Sequence, residues 1–368
     1  MKYDLLTPHV QMLFALLRAS LHEREVEVSF FQNITVEDWK LCYKLAATQG
    51  VMALAWDGVM KLPAALQPPR AVKLPWATSV ESYEKKYLRY CSAVDELSRF
   101  YAEHGIVTMQ LKGVGFSSLY PIPCHREGGD IDIYTYSANK NSMSDEEANM
   151  LANTLMQQQG VEVDVDHTPK HSSFFYKGIP IENHRTFLNV TNYKIAKQLE
   201  QLLMENMNPQ KTALAVGEVL TPSSVFNTLF IAFHAAQHYG SGLALHHLCD
   251  WVMVIRHFGG QLPKQVTDKY FLAGVAAMTR LCNQYLGTSQ PVEGGERIAK
   301  EMIEEILFPK YSSHISSRNK LGILIYKTKR MLYNYHLKAT IFHEPLVNLL
   351  WRIILFHLRK PQTIFQAK

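Results

Sequence analysis

Apolar and polar positions follow two different rhythms along the chain, and the change between them divides it. In TVEDWKLCYKLAATQGVMALAWDGVM (35–60), Trp39, Leu41, Cys42, Leu45 and Ala46 recur at three- and four-residue spacing, which predicts an amphipathic helix. Thr35 and Asp38 open it at capping-box spacing, and Gly50 is placed to end it. PPRAVKLPW (68–76) reads as a proline-punctuated link. Residues 77–104 read as one long helix with Tyr83, Tyr87, Tyr90, Val94, Leu97 and Tyr101 on one side.

The rhythm then shortens. GIVTMQLKG (105–113) is β-rich and stops at a glycine, and DIDIYTY (130–136) alternates with period two, as a half-buried strand does. VEVDVD (161–166) alternates again, after a helix over 145–160 that ends at Gly160. SSFFYKG and IPIENHRTF (172–187) predict two strands around a turn at Gly178. From residue 192 the pattern is helical to the end. TPSSVFNTLFIAFHAAQHYG opens on Thr221-Pro222 as N-cap and first helical position, and ALHHLCDWVMVIRHF (244–258) follows. The expected fold is α+β: a small mixed sheet over 105–190, between an N-terminal helical region (1–104) and a C-terminal one (191–368).

Composition adds limits. At 47% apolar and 19% charged residues, the chain is that of a globular protein. Its opening, MKYDLLTPHVQMLFALL, has no basic n-region, clean apolar run or small-residue cleavage site, so no export signal is expected. PLVNLLWRIILFHL (345–358) is interrupted by Asn348 and Arg352 and too short to span a bilayer, so no integral membrane segment is expected. Five scattered cysteines without a CxxC pair suit a reducing cytoplasm, the expected location. The net charge of +5 is unevenly spread: residues 310–368 hold eleven Lys and Arg against Glu344 alone. Such a tail can meet nucleic acid, anionic lipid or phosphorylated substrate, or simply be solvated. Its apolar residues Leu321, Ile323, Leu324, Ile325, Met331, Leu332, Leu349, Leu350, Ile353 and Ile354 predict that its helices dock on the body.

Asp130 and Asp132 are the chemically unusual pair. On a strand they share a face while Ile131 and Ile133 point into a core. Like charges so placed repel unless a cation lies between them, and two oxygen ligands at this spacing suit Mg²⁺ shared with substrate phosphates; a solvated strand face is the plainer reading. Upstream, Leu111-Lys112-Gly113 ends a strand at a turn whose N–H groups can cradle phosphate. Downstream, Glu182 stands on a neighbouring strand.

This order of motifs resembles the DNA polymerase β-like nucleotidyltransferase superfamily. The phrases Leu-Lys-Gly, Leu119-Tyr120-Pro121, Arg126, Gly-Asp-Ile-Asp-Ile and Ile-Glu-x-His, with the later HAAQH and LHHLCDW, are similar to its uncharacterised bacterial nucleotidyltransferase family. The resemblance spans roughly residues 30–260 and implies a cytoplasmic, magnesium-dependent enzyme. Two Mg²⁺ (Mn²⁺ as a substitute) would serve transfer of NMP from an NTP, ATP being the expected donor. The hydroxyl acceptor is open: a small molecule, a sugar, a protein side chain or an RNA end. The resemblance assigns catalysis and metal binding to Asp130, Asp132 and Glu182, with Asp164 or Asp166 as rivals for the third carboxylate. It places Lys112, Gly113, Ser117, Arg126 and His184 around the nucleotide, and His234, His238 and Asp250 as possible substrate contacts. Lys112 also reads as a solvated lysine, Arg126 as one half of a structural ion pair, and each histidine as a core residue. Val114 stands where the superfamily usually has serine. This departure keeps open a catalytically silent, nucleotide-sensing or partner-binding relative.

Overall fold

A computed structural model describes residues 7–165, 170–190, 194–311, 319–343 and 345–359. Four helices come first: α1 (Pro8–Leu21), α2 (Val36–Thr48), α3 (Met52–Lys61) and α4 (Arg70–Ala102). Thr35 and Asp38 form the reciprocal capping box that their spacing predicts. The 68–76 stretch is a correction, because α4 starts at Arg70 and runs straight through Pro75. A helix-interior proline normally costs about 3 kcal/mol. Here the next residue, Trp76, is fully buried and its indole N–H donates to the Met52 carbonyl at 2.9 Å, so packing holds the helix together.

The sheet is built from β1 (Ile106–Gln110), β2 (Ile131–Ser137), β3 (Val163–Asp164), β4 (His171–Tyr176), β5 (Ile179–His184), β6 (Gln210–Ala213) and β7 (Glu218–Thr221). Its strand order is β3-β4-β5-β2-β1-β7-β6. The central pair β5–β2 is parallel, β2–β1 is antiparallel, and β1–β7 is parallel. β6 and β7 lie where the sequence predicts only helices. They are short, β6 is almost wholly exposed, and QKTA shows no apolar alternation. β4 and β5 form the expected hairpin, turning at Lys177 and Gly178 with φ of 50° and 75°. Both central residues are left-handed, as in the two-residue turn that suits strand twist.

The remaining helices are α5 (Val114–Ser117), α6 (Asp145–Gln158), α7 (Lys194–Glu205), α8 (Ser224–His238), α9 (Leu245–Phe258), α10 (Lys269–Tyr285), α11 (Glu296–Leu307), α12 (Lys320–Phe342) and α13 (Leu346–Arg359). α8 is capped by Ser223, whose hydroxyl accepts from the Phe226 N–H, and not by the expected Thr221, which ends β7. Ile131 and Ile133 enter a core with Val94 and Leu97 of α4 and Ala152 and Met156 of α6. The opposite sheet face, where Tyr134 stacks through Phe187 onto Phe226, is covered by α7 and α8. The α+β architecture with helical flanks is as expected. The tail docks only in part. Ile323, as expected, and Leu337, Ile341 and Phe342 are buried, and a Cβ on Gly274 of α10 would come within 2.9 Å of Ile341, so this contact is tight. Leu321, Leu324, Ile325, Leu332, Leu350 and Ile354 are exposed, against expectation. The side chains of Leu349 and Ile353 lie outside the described residues. Among those described, no helix is long and apolar enough to cross a membrane.

Candidate active site

The site grows out of strand register. Asp132 of β2 pairs with Glu182 of β5, so both side chains leave the sheet on one face, side by side. Asp130 lies just before β2, two residues from Asp132, and joins them. Carboxylate oxygens of all three residues lie within 4.8 Å of one another. Asp164 continues the same row, opposite Ser173 and hence two strands outward from Glu182, and is exposed. Asp166 lies outside the described residues.

Burial is graded across the trio. Asp132 is 1% exposed, while the side chains of Glu182 and Asp130 keep 25% and 36%. Asp132 is therefore the floor, with the other two at the open side. The Lys112 ammonium lies 3.0 Å from Asp132 Oδ2 and 3.6 Å from Asp130 Oδ1. His184 is fully buried; its Nε2 lies 3.0 Å from Asp132 Oδ1 and its Nδ1 3.2 Å from the Thr186 carbonyl. It thus supports the carboxylates from beneath and does not open onto the cleft. His171 Nδ1 lies 3.3 Å from Glu182.

The electrostatics follow from these contacts. Burial and the negative charge of Asp132 push the Asp130 carboxyl above its ordinary range. Burial acts the same way on Asp132, but Lys112 and His184 outweigh it and hold that carboxyl low. Glu182 is also held low, by His184 and His171 against burial. Burial opposes the charge on Lys112, yet Asp132 and Asp130 raise it.

Gly113 ends the strand-to-turn segment with φ 72° and ψ −136°, and a Cβ there would lie 2.9 Å from Gln110 Nε2, so the position requires glycine. The turn is braced from within. Gln110 Oε1 accepts the Gly115 N–H at 2.7 Å, and the Ser117 hydroxyl donates to the Val114 carbonyl at 2.6 Å. Gly113, Ser117, Arg126 and Asp130 line one narrow recess of about 20 Å³, walled by Tyr83, Tyr87 and Tyr90 of α4. Lys86 and Tyr90 donate to the carbonyls of Gly128 and Gly129, fixing the loop ahead of Asp130.

Arg126 and Asp250 meet each other. The guanidinium grips both carboxylate oxygens at 2.8 and 2.7 Å, and Tyr120 donates to Oδ1 at 2.6 Å. This is the structural-pair alternative for Arg126. His234, His238 and His247 approach within 4.8 Å of one another. Burial and the Lys112 charge depress His234 and His238, the latter to about 4, so both rings are neutral near pH 7. Lys170 was not singled out by sequence. It precedes β4, is half-buried, and its charge is disfavoured by burial and favoured by Asp132 and Glu182. Gln110 and His171 were also missed; each reads locally as an ordinary strand residue.

A family model described as "Uncharacterised nucleotidyltransferase" matches residues 35–287, more than half of the chain. The protein belongs to this family. It is accordingly a nucleotidyltransferase, a transferase of phosphorus-containing groups that acts on a nucleotide. Comparisons with curated proteins and with solved structures return no significant match. The matched span takes in the whole sheet and helices α2 to α10, and it ends short of α11. The structure carries acidic and histidine clusters of the kind that hold the divalent ions these enzymes usually employ.

Proposed function

We propose that this nucleotidyltransferase moves NMP from an NTP, with ATP the expected donor, to a hydroxyl acceptor at the Asp130–Asp132–Glu182 trio. The observation that carries this reading is the convergence of three carboxylates from two paired strands on one face. The donor set fits Mg²⁺: hard oxygen ligands only at the trio, with one buried oxygen, Asp132 Oδ2, close to Lys112 yet aligned with no hydrogen-bond donor. Asp130 and Asp132 would hold one ion toward the triphosphate, and Glu182 would complete a second toward the acceptor. Divalent ions bound there neutralise the triphosphate and lower the pKa of the attacking hydroxyl.

The chain's own groups have separate tasks. In the reaction the acceptor oxygen forms a bond to the α-phosphorus, the α–β bridging P–O bond breaks, pyrophosphate leaves, and the hydroxyl proton is released. Asp132, pinned by His184, fixes the geometry of the floor. Asp130, whose negative charge is the least favourably placed of the three, gains most from a cation. Gly113 and the Lys112 ammonium supply the phosphate side, and neutral His234 and His238 offer hydrogen-bonding groups to the acceptor. The proposed site residues are those expected from sequence, with Arg126, His184 and Asp250 acting through position and not through direct nucleotide contact.

A second reading is a nucleotide-binding relative without turnover. It is favoured by the commitment of the Gly115 N–H to Gln110 and of Arg126 to Asp250, which leaves fewer groups for phosphate. The test incubates the protein with each α-labelled NTP, Mg²⁺ and cell extract. Label should move to an acceptor with wild type and not with Glu182→Gln, which should still bind Mg·NTP. Binding by both proteins with no labelled product from either would select the second reading.

A further inference from the structure

The trio already has a cation. The Lys112 ammonium bridges Asp132 Oδ2 and Asp130 Oδ1, the same two side chains that a shared divalent ion would use. Its side chain is only 15% exposed, so solvent does little to weaken the contact. The trio thus carries an ammonium counter-charge before any metal arrives. A divalent ion on Asp132 Oδ2 would lie a few ångströms from a buried ammonium, and that repulsion is strong where water is largely excluded.

Lys112 holds that oxygen by ionic contact at 3.0 Å, with Asp130 Oδ1 farther away at 3.6 Å. A lysine is a point charge on a four-carbon stem, free to pivot where an arginine fork would be locked. It stands immediately before Gly113, on the turn that lines the recess beside Asp130. A triphosphate bound at the Gly113 turn would give the ammonium a new anionic partner one residue from its own backbone.

Resting on the reading of the trio as the metal site, we propose that Lys112 is the resident counter-cation of the empty site. Divalent metal then loads only together with the triphosphate, which draws the ammonium off Asp130 and Asp132. The substrate is recognised as a metal–triphosphate unit, and free metal is excluded. By reciprocity of linked binding, the triphosphate tightens metal and metal tightens the triphosphate.

The test titrates Mn²⁺ into full-length protein, with bound metal read by electron paramagnetic resonance, with and without α,β-methylene ATP. Wild type should bind Mn²⁺ weakly alone. Lys112→Met should bind it about 10²-fold more tightly without nucleotide, because the competing charge is gone. Lys112→Gln is the second variant, should Met fail to fold, and Lys112→Arg should keep free Mn²⁺ out. Equal, tight binding of free Mn²⁺ by wild type and a neutral variant would overturn the role of Lys112 while leaving the metal site intact. Absence of Mn²⁺ from a folded neutral variant, with or without the analogue, would overturn the metal site itself and this inference with it.

Discussion

Two buried clusters of charge flank the Gly113 turn, and they are built in opposite ways. Arg126 and Asp250 face each other as a planar fork, with Tyr120 on the remaining carboxylate lone pair and the Gly113 carbonyl near Nη1 at 3.3 Å. Nearly every polar atom there has a partner with good geometry. Asp130, Asp132 and Glu182 instead bring three like charges together, offset by Lys112 on its long stem. The first arrangement is closed and ties a residue beside the recess to α9. The second is incomplete as it stands and can change partners. The difference shows that a cluster with unmatched charge can take a further cation, while a fully matched pair holds a shape.

The comparison breaks most visibly on activity. Asp130→Asn and Asp132→Asn should each lower transfer by about 10³-fold or more, since each would weaken the hold on the divalent ion that offsets charge on the reacting phosphoryl group. Label transfer from an α-labelled NTP measures it, and near-wild-type rates in both variants would end the metal reading. Arg126→Met should act on stability instead, costing about 3–5 kcal/mol because Asp250 is left as an uncompensated buried charge. Denaturant unfolding measures the loss. The double variant Arg126→Met/Asp250→Leu should recover much of it; a double variant as unstable as the single would show that the matched pair is not the source.

Stability also separates the two aspartates, which sequence alone treats as equivalent. From like-charge repulsion, either Asn substitution is expected to leave stability equal or higher. The structure revises this for Asp132, which is the partner of Lys112 and His184. Asp132→Asn should cost about 1–3 kcal/mol, whereas Asp130→Asn should be neutral or slightly stabilising. Opposite signs in thermal unfolding of the metal-free protein would sharpen the picture, and identical shifts would remove it. The smallest effect is in pH. Asp132 is held low in the folded chain, so its stabilisation is present above the ordinary carboxylate range and fades as pH falls through that range toward its folded value. Asp130 is held high, so its ionisation costs stability, and that cost appears as pH rises through the same range. The acid limb of wild-type unfolding should therefore become shallower in Asp132→Asn and steeper in Asp130→Asn.

How much of this was legible follows from the range of each interaction. The convergence of Asp130, Asp132 and Glu182 was legible because period two fixes a face locally and motif order supplied the rest. The capping box at Thr35 and the hairpin at Gly178 are equally local. Arg126 and Asp250 are 124 residues apart, so their meeting has no signature in either segment. Lys170 sits before a strand, where a lysine ordinarily reads as solvated. β6 and β7 escaped because edge strands with polar residues lack alternation. Pro75 misled because local propensity predicts a break that the packing of Trp76 overrides.

The β4–β5 hairpin carries a consequence for inheritance. Surface turns usually absorb insertions and deletions freely. Here the two-residue turn at Lys177 and Gly178 sets which β5 residue lies beside Asp132, and neighbours on a strand face opposite ways. A single inserted residue that slipped β5 by one step would turn Glu182 into the α4–α6 core and bring Ile181 or Asn183 to its place. In a lineage of this protein the hairpin should therefore drift in composition but not in length, and a length change there should mark descendants that have lost the chemistry.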